Sequence, residues 1–244
     1  MSVWLVFGAA LLTALATGLG ALPLLLGRRI HGPAVGLSTA LAAGFMLGAS
    51  AGLFWEGGRI GIGRTAAGAV VGVAFIVGTR RLLGHRREVE FGALRGSDAL
   101  GALMVVGVMT VHSFTEGVAV GVSFGGGEAF GALITTAIAL HNVPEGLAIS
   151  LVLVPRGVSV LRAAGWSIFT SLPQPFMAVP AFLFVEWFAA VLPAGLGFAA
   201  GAMVWMVAAQ LLPDALRTAR PIGVAAAATV PAAAMIGVQV LLAV

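Results

Sequence analysis

The sequence of 244 residues contains no cysteine, no lysine and no tyrosine. The absence of cysteine excludes disulfide bonds, thiolate metal sites and cysteine-based catalysis. Charge is also scarce, because charged residues make up only 9% of the chain, whereas about 25% is usual in a soluble domain. The composition therefore leaves no room for a soluble domain of useful size.

Most of the sequence consists of long apolar segments. Hydrophobic residues make up 60% of the chain, and the mean hydropathy is +1.08. Runs of about 20 apolar residues recur along the sequence, and each is typical of a helix that spans a membrane. The sequence predicts an all-α integral membrane protein in which residues 1–244 form a single transmembrane domain. Eight helices are predicted, at about 4–26, 34–55, 60–79, 97–122, 128–154, 163–187, 191–213 and 221–243.

The arginines are distributed unevenly over the predicted loops. With eight helices, eleven arginines fall on the side of the first interhelical loop, and only Arg59 and Arg64 fall on the other side. The positive-inside rule makes the arginine-rich side cytoplasmic. Both termini are then outside, and residues 79–96 form a basic cytoplasmic loop of a multi-pass protein in the plasma membrane, which is the inner membrane of a bacterial cell. Short basic clusters between apolar runs indicate membrane topology, so the sequence pI of about 11.5 does not indicate a nucleic-acid partner.

One internal repeat combines histidine with glutamate. His112 and Glu116 lie in the fourth predicted helix, and His141 and Glu145 lie in the fifth. Both segments have the pattern His-x-x-x-Glu-Gly-[Val/Leu]-Ala-[Val/Ile]. Residues four apart share one face of a helix, so two facing helices would present two imidazoles and two carboxylates to one cavity.

This set of side chains points to a metal-ion site at mid-membrane depth. Imidazole and carboxylate ligands suit Zn and other divalent first-row metals. An ionisable residue at mid-bilayer costs about 2.5–3.5 kcal/mol on insertion scales, and no arginine lies at a suitable depth to pair with it. Counting residues places His112 and His141 nearly level, with Glu116 toward the outer half and Glu145 toward the inner half. We therefore expect a vertical ladder of ligands, which suits the passage of an ion. A single buried histidine is often only a packing partner, but a duplicated pair is not explained in that way.

The motifs resemble those of the ZIP (Zrt-/Irt-like) family of divalent metal transporters, and the bacterial members most closely. The fourth helix of that family carries a His-Asn-x-x-Glu-Gly motif followed by Gly-x-Ser-Phe, and here it runs from His112 to Gly117 and from Gly121 to Phe124. The fifth helix carries a motif ending Pro-Glu-Gly-Leu-Ala, matched by His141 to Ala148. A Gly-Phe-Ala-Ala-Gly-Ala-Met segment matches Gly197 to Met203. The resemblance covers essentially the whole chain.

The resemblance implies an inverted-repeat bundle of eight helices that moves Zn or related divalent ions into the cytoplasm. The path would run between helices 4 and 5, and the protein would not be an enzyme. The principal ligands would be His112, Glu116, His141 and Glu145, Asn142 would be a secondary ligand, and Met46 would line the path. The metal would be cargo and not a cofactor, and no catalytic residue is implied.

The chain departs from the family pattern at two positions beside the site. The asparagine after the first histidine is Ser113 here, and a Glu-Pro pair common in helix 6 is Gln174-Pro175. Some members of the family hold two metals bridged by the helix 6 glutamate. We include Ser113 and Gln174 among the candidate metal-site residues, and we expect one strong site with a second site weak or absent.

Other functions remain alternatives to metal transport. One is an intramembrane metal-dependent hydrolase with Glu116 or Glu145 as general base, although no His-Glu-x-x-His motif is present. Another is a transporter of protons or organic cations that uses the same carboxylates without metal. Zn is the expected substrate, with Cd, Fe, Mn and Co as alternatives, and the lipid bilayer is the expected surrounding. The oligomeric state is left open, with a homodimer as one alternative.

Overall fold

The structure, a computed structural model, describes residues 2–25, 32–84, 96–187 and 189–241. Within these ranges the chain is almost entirely helical and contains no strand. The α-helices are α1 (Val3–Leu19), α2 (Leu22–Leu25), α3 (Gly32–Gly84), α4 (Gly96–Gly125), α5 (Glu128–Leu153), α6 (Val160–Ser171), α7 (Pro173–Trp187), α8 (Leu192–Met206), α9 (Leu212–Thr218) and α10 (Pro221–Leu241).

Six stretches of the described chain are long and apolar enough to cross a membrane. One of them, Gly32–Thr79, has 48 residues, about twice the length that a single crossing needs. The prediction of an all-α, multi-pass membrane protein is confirmed. The number of eight crossings does not follow from length and composition alone.

Helix α3 covers the two helices predicted at 34–55 and 60–79 and is divided into two parts. The helix is interrupted only at Gly61, where the backbone is extended (φ −176°, ψ 89°). A Cβ atom placed on Gly57 would lie 2.8 Å from the hydroxyl oxygen of Thr65. Residues eight apart in a straight helix are separated by about 12 Å along its axis. The chain therefore folds back at Gly61, and α3 is a hairpin of two helical arms.

Each arm of α3 packs in parallel against another helix. In the first arm, Gly44 lies against Ala228 and Gly52 lies against Gln239 of α10. Because the contacts advance in the same direction along both chains, the two helices are parallel. A methyl group at Gly44 would overlap the backbone of α10, so glycine permits this close approach.

The second arm of α3 runs parallel to α8 in the same way. Gly68 lies against Ala194, and Gly72 lies against the carbonyl group of Phe198. The contacts again advance in the same direction along both helices.

The helices that carry the His-x-x-x-Glu repeats form parallel pairs of their own. Thr17 of α1 lies against Gly146 of α5, and Gly121 of α4 lies against Ala178 of α7. Helices α4 and α5 are antiparallel neighbours, because Phe124 lies against Gly131 near the turn that joins them. The two repeats therefore face each other.

Other predicted helices also differ from the structure, and the helix predicted at 4–26 is divided by a turn at residues 20–21 into α1 and α2. The helix predicted at 163–187 is divided at Leu172 into α6 and α7, because Pro173 and Pro175 lack the amide hydrogens that would continue α6. The helix predicted at 191–213 contains a π-helical turn, Val207–Leu211, between α8 and α9. In the predicted loop at 79–96, α3 continues to Gly84 and α4 begins at Gly96, while residues 85–95 lie outside the described part of the chain.

Candidate metal site

Two histidines and two glutamates from α4 and α5 meet in the interior of the protein. One ligand atom from each of His112, Glu116, His141 and Glu145 lies within 4.8 Å of all the others. The four residues are at most 6% exposed. These four side chains, here called the His/Glu cluster, can surround one cation.

Glu116 lies at the centre of the His/Glu cluster. Its Oε1 atom is 3.0 Å from Nε2 of His112 and also contacts Nε2 of His141. Its other oxygen, Oε2, accepts a hydrogen bond of 2.6 Å from Nε2 of Gln174. Glu116 therefore holds both imidazoles through one oxygen and α7 through the other.

Glu145 has different surroundings from Glu116. Its Oε2 atom is 3.9 Å from Nε2 of His141, which is too long for a hydrogen bond. Neither carboxylate oxygen of Glu145 has a hydrogen-bond partner among the described residues, and the same is true of Nδ1 of His112 and of His141. Buried polar atoms normally have partners. Because carboxylate oxygens are typical metal ligands, a cation is the partner that the chemistry of Glu145 favours.

The ladder of ligands expected from the sequence is instead one compact cluster. The expected ladder assumed that each ligand atom lies at the same depth in the membrane as the backbone of its residue. In the structure, Glu116 reaches across to His141 on the antiparallel helix, so the four ligand atoms form a compact group, and Glu145 and the two histidines, but not Glu116, line the neighbouring cavity.

The structure places the other four candidate residues around this cluster. Met46 is fully buried and lines the cavity beside it. Ser113 is fully buried, and its hydroxyl group has no hydrogen-bond partner among the described residues. Asn142 donates to the carbonyl oxygen of Thr13 at 2.7 Å, and Gln174 contacts Glu116 as described above. Their expected roles as ligands stay predictions.

A cavity of about 340 Å³ leads away from the His/Glu cluster. Pro144 lines it beside His112, His141 and Glu145, and its walls come from α3, α4, α5, α8, α9 and the π-helical turn. At the far end it is lined by Val35 near the start of α3 and by Asp214, Arg217 and Thr218 of α9. The cluster is thus connected to one end of the helical bundle.

Several residues near the site carry no motif in the sequence. Thr13 of α1 contacts both Asn142 and Gln174, and Met109 and Met206 line the cavity. Gln210 also lines it, and its Oε1 atom has no hydrogen-bond partner among the described residues. Two of these residues had a signal in the sequence. Met109 lies three residues before His112 and hence on the same helix face. Gln210 stands where the family commonly has an acidic residue near the end of helix 7. The others reach the site only through tertiary packing.

A cluster of buried imidazoles and carboxylates inside a helical membrane bundle is typical of membrane proteins that bind a cation within the bilayer. The comparisons with known proteins make the class specific. The family model described as "ZIP Zinc transporter" matches residues 86–242. The chain belongs to the ZIP zinc transporter family.

Relatives in bacteria, plants and mammals carry the same description. The zinc transporter GufA of Myxococcus xanthus is 37% identical over 227 residues, which cover 86% of this chain and 87% of the relative. A putative zinc transporter of Arabidopsis thaliana is 48% identical over 91% of this chain but only 36% of its own length. The zinc transporter SLC39A7 of the dog is 30% identical over 59% of this chain and 34% of its own length. The chain thus spans about a third of the plant and mammalian relatives. All three are named as transporters and none as an enzyme, so the hydrolase alternative has no support.

Proposed function

We propose that this protein transports divalent metal cations into the cytoplasm, with Zn as the principal substrate, and that the ion binds at the His/Glu cluster. The observation that carries this proposal is a buried set of four metal-binding side chains that opens onto a cavity on one side. Family membership favours transport, and the names of the relatives favour Zn. The ligand chemistry also accommodates Cd, Fe, Mn and Co.

The proposed transmembrane domain has eight spans. The two arms of α3 are the second and third spans, α4 is the fourth, and α6 with α7 forms the sixth. In this numbering the parallel neighbours are spans one and five, two and eight, three and seven, and four and six. Because consecutive spans cross the membrane in opposite directions, two spans are parallel only when their numbers are both odd or both even. Every parallel pair meets this condition, which supports eight crossings.

The same pairs support an inverted repeat. In the proposed repeat, span one corresponds to span six, two to seven, three to eight and four to five. Under this correspondence, the contact between spans one and five becomes the contact between spans six and four. It also turns the pair two–eight into seven–three. Each exchange joins spans of opposite direction, as an inverted repeat requires.

The cavity faces the cytoplasm in the proposed orientation. Arg217 lies at its mouth, and the arginine-rich side of the protein is cytoplasmic by the positive-inside rule. Both termini then lie outside, and the protein spans the plasma membrane. The structure would correspond to an inward-open state in an alternating-access cycle, in which one group of helices moves against the other.

We further propose that the centre holds one metal tightly. Gln174 and Ser113 are neutral and add no negative charge to the cluster, so a second divalent ion would have little to balance its charge. Finding two tightly bound metals in the purified protein would refute this part of the proposal.

The test of transport is metal uptake into proteoliposomes, offering Zn, Fe, Mn and Cd in turn. Wild-type protein is compared with the His141→Ala/Glu145→Ala double variant and with Glu128→Ala, which removes an exposed carboxylate at the start of α5. We expect uptake of Zn by the wild type and by Glu128→Ala, and a loss of at least about 100-fold in the double variant, because two of the four ligands are missing. If correctly inserted wild-type protein binds Zn but takes up none of the four metals, the proposal of transport is wrong.

A further inference from the structure

Gln174 lies beside the His/Glu cluster because α7 approaches α4 very closely. The side chain is fully buried in the first turn of α7, immediately after the break at Leu172. A Cβ atom on Gly117 would lie 2.6 Å from the backbone oxygen of Gln174, so only glycine allows the two helices this separation. The amide group of Gln174 thereby reaches the carboxylate of Glu116.

A chain of hydrogen bonds connects Glu116 to the backbone of α1. Nδ2 of Asn142 donates to the carbonyl oxygen of Thr13 at 2.7 Å and to Oε1 of Gln174 at 3.2 Å. Nε2 of Gln174 donates to Oε2 of Glu116 at 2.6 Å. The hydroxyl group of Thr13 also contacts Oε1 of Gln174.

The two ends of this chain determine the orientation of both amide groups. A backbone carbonyl can only accept, so Asn142 must present its NH₂ group to Thr13. Gln174 must then present its oxygen to that NH₂ group, which turns its own NH₂ group toward Glu116. An ionised carboxylate is also only an acceptor, so the orientation required at Glu116 agrees with the one set at Thr13.

We propose that Gln174 is a positioning residue for Glu116 and not a metal ligand, an inference that rests on the proposed function of the cluster. Its oxygen is used by Asn142 and Thr13, so only a donor faces the cluster, and a donor cannot bind a cation. Its NH₂ group holds Oε2 of Glu116, which leaves Oε1 between His112 and His141. Glu116 then offers the cation one oxygen in a fixed place.

The experiment measures Zn²⁺ affinity and the absorption spectrum of bound Co²⁺ for purified full-length protein in detergent. Gln174→Met removes donor and acceptor while keeping a similar length. We expect its Zn²⁺ affinity to fall about 10- to 100-fold, the usual effect of losing a group that orients a metal ligand. The d–d absorption bands of Co²⁺ should also change, because Glu116 no longer has a fixed orientation. Because Gln174 is proposed to act through Glu116, adding Gln174→Met to Glu116→Gln should cause no further loss of Zn²⁺ affinity.

Gln239 provides a matched control. It is also a buried glutamine in a membrane helix, and its Nε2 atom donates to the carbonyl oxygen of Gly48 at 3.0 Å. It lies in the contact between α10 and α3 and is not among the residues that line the cavity. Gln239→Met should leave the Zn²⁺ affinity and the Co²⁺ spectrum as in the wild type.

Three results would overturn the inference. They are wild-type affinity with an unchanged spectrum in Gln174→Met, an equal loss in Gln174→Met and Gln239→Met, and a further loss when Gln174→Met is added to Glu116→Gln, which would make Gln174 a ligand in its own right. Because this experiment measures metal binding and not transport, the positioning role of Gln174 and the proposed transport can be refuted independently of each other. Wild-type protein that binds metal in a Gln174-dependent way but moves none would remove only the proposed function.

Discussion

The two glutamates of the His/Glu cluster have the same residue type and similar burial but opposite surroundings. Glu116 is contacted by two imidazoles and one amide group, whereas Glu145 has no hydrogen-bond partner among the described residues. Burying the unpaired carboxylate of Glu145 lowers the stability of the folded protein. Altering Glu116 would instead leave its hydrogen-bond partners unsatisfied, which also lowers the stability. The two residues should therefore contribute differently to stability without metal, although both contribute to metal binding.

Substituting each glutamate by glutamine tests this difference. We expect Glu116→Gln to lower the free energy of unfolding of the metal-free protein by about 2 kcal/mol, because it weakens hydrogen bonds to a charged group. Glu145→Gln should leave that stability unchanged or raise it. Thermal unfolding in detergent with a chelator gives the comparison, and Zn²⁺ titration should show weaker binding in both variants. A loss of stability in Glu145→Gln equal to that in Glu116→Gln would contradict the assignment.

Metal binding at the His/Glu cluster should depend on pH. Imidazole and carboxylate groups bind a metal only after they lose their protons, so protons compete with the metal. We expect Zn²⁺ affinity to fall at least about 10-fold when the pH is lowered from 7.5 to 5.5, measured with purified protein at constant ionic strength. Equal affinity and equal uptake at the two pH values would show that protons do not compete.

At the residue scale, the sequence predicted the membership of the cluster but not its geometry. The pair His112 and Glu116 and the pair His141 and Glu145 can be recognised in the sequence, because the two residues of each pair are only four positions apart. Thr13 was not predicted, because it is more than a hundred residues away and its role depends on α1 packing against α5. From the sequence, Gln174 was noted only because it replaces a glutamate that is common in the family. Its hydrogen bonds could not be predicted, because they depend on the packing of three helices.

Glycines on α4 set the distance between the cluster and its neighbours. Gly117 directly follows Glu116 and lies against the backbone of Gln174, and Gly121 lies one turn later against Ala178. This spacing of small residues along one face is typical of closely packed membrane helices. The position of Gln174 relative to Glu116 is therefore a property of the contact between α4 and α7.

Gly117→Ala should disturb the cluster without altering any of its side chains. The added methyl group would lie 2.6 Å from the backbone oxygen of Gln174, so α7 must move away. We expect Zn²⁺ affinity to fall by about 10-fold, as for the loss of an orienting group. Gly165→Ala in α6 is the control, because a methyl group there meets no atom within 4 Å. Wild-type affinity in both variants would show that the separation of α4 and α7 is not critical.

At the element scale, hydropathy predicted where the helices are but not every place where they are interrupted. Apolar composition identifies a span because the bilayer requires it. The reversal at Gly61 lies close to the loop predicted at 56–59. The π-helical turn Val207–Leu211 produces no comparable signal, since it depends on the helices packed around it. The break at Leu172 was accessible in principle, because Pro173 and Pro175 follow it directly.

The arrangement of the whole molecule depends on the direction in which each span crosses the membrane. The arginine distribution and the parallel pairs of helices were obtained from different observations, one from charge and the other from packing. Both support the proposed eight spans, and the arginine distribution additionally favours both termini outside. A charge asymmetry can be recognised in the sequence because it acts during insertion, before the helices pack.

Single cysteines test the orientation directly, because the chain has none of its own. Ser2 and Thr218 are both exposed, the first before α1 and the second at the mouth of the cavity. We expect a membrane-impermeant maleimide to label Ser2→Cys in intact spheroplasts and to label Thr218→Cys only after permeabilisation. The reverse pattern would place the cavity mouth outside and would reverse the direction proposed for transport.

The cavity that leads from the His/Glu cluster also determines how the ion regains its water shell. Beside the cluster its wall carries apolar side chains such as Met46, Met109 and Ile149, whereas carboxylate, guanidinium and hydroxyl groups lie at the mouth. In the proposed transport, a divalent ion that leaves the His/Glu cluster meets no second group of imidazoles and carboxylates among the described residues that line the cavity, so water must replace its ligands. Release is then a problem of rehydration. The rate of transport should therefore follow how readily a metal exchanges its ligands for water as well as how tightly it binds.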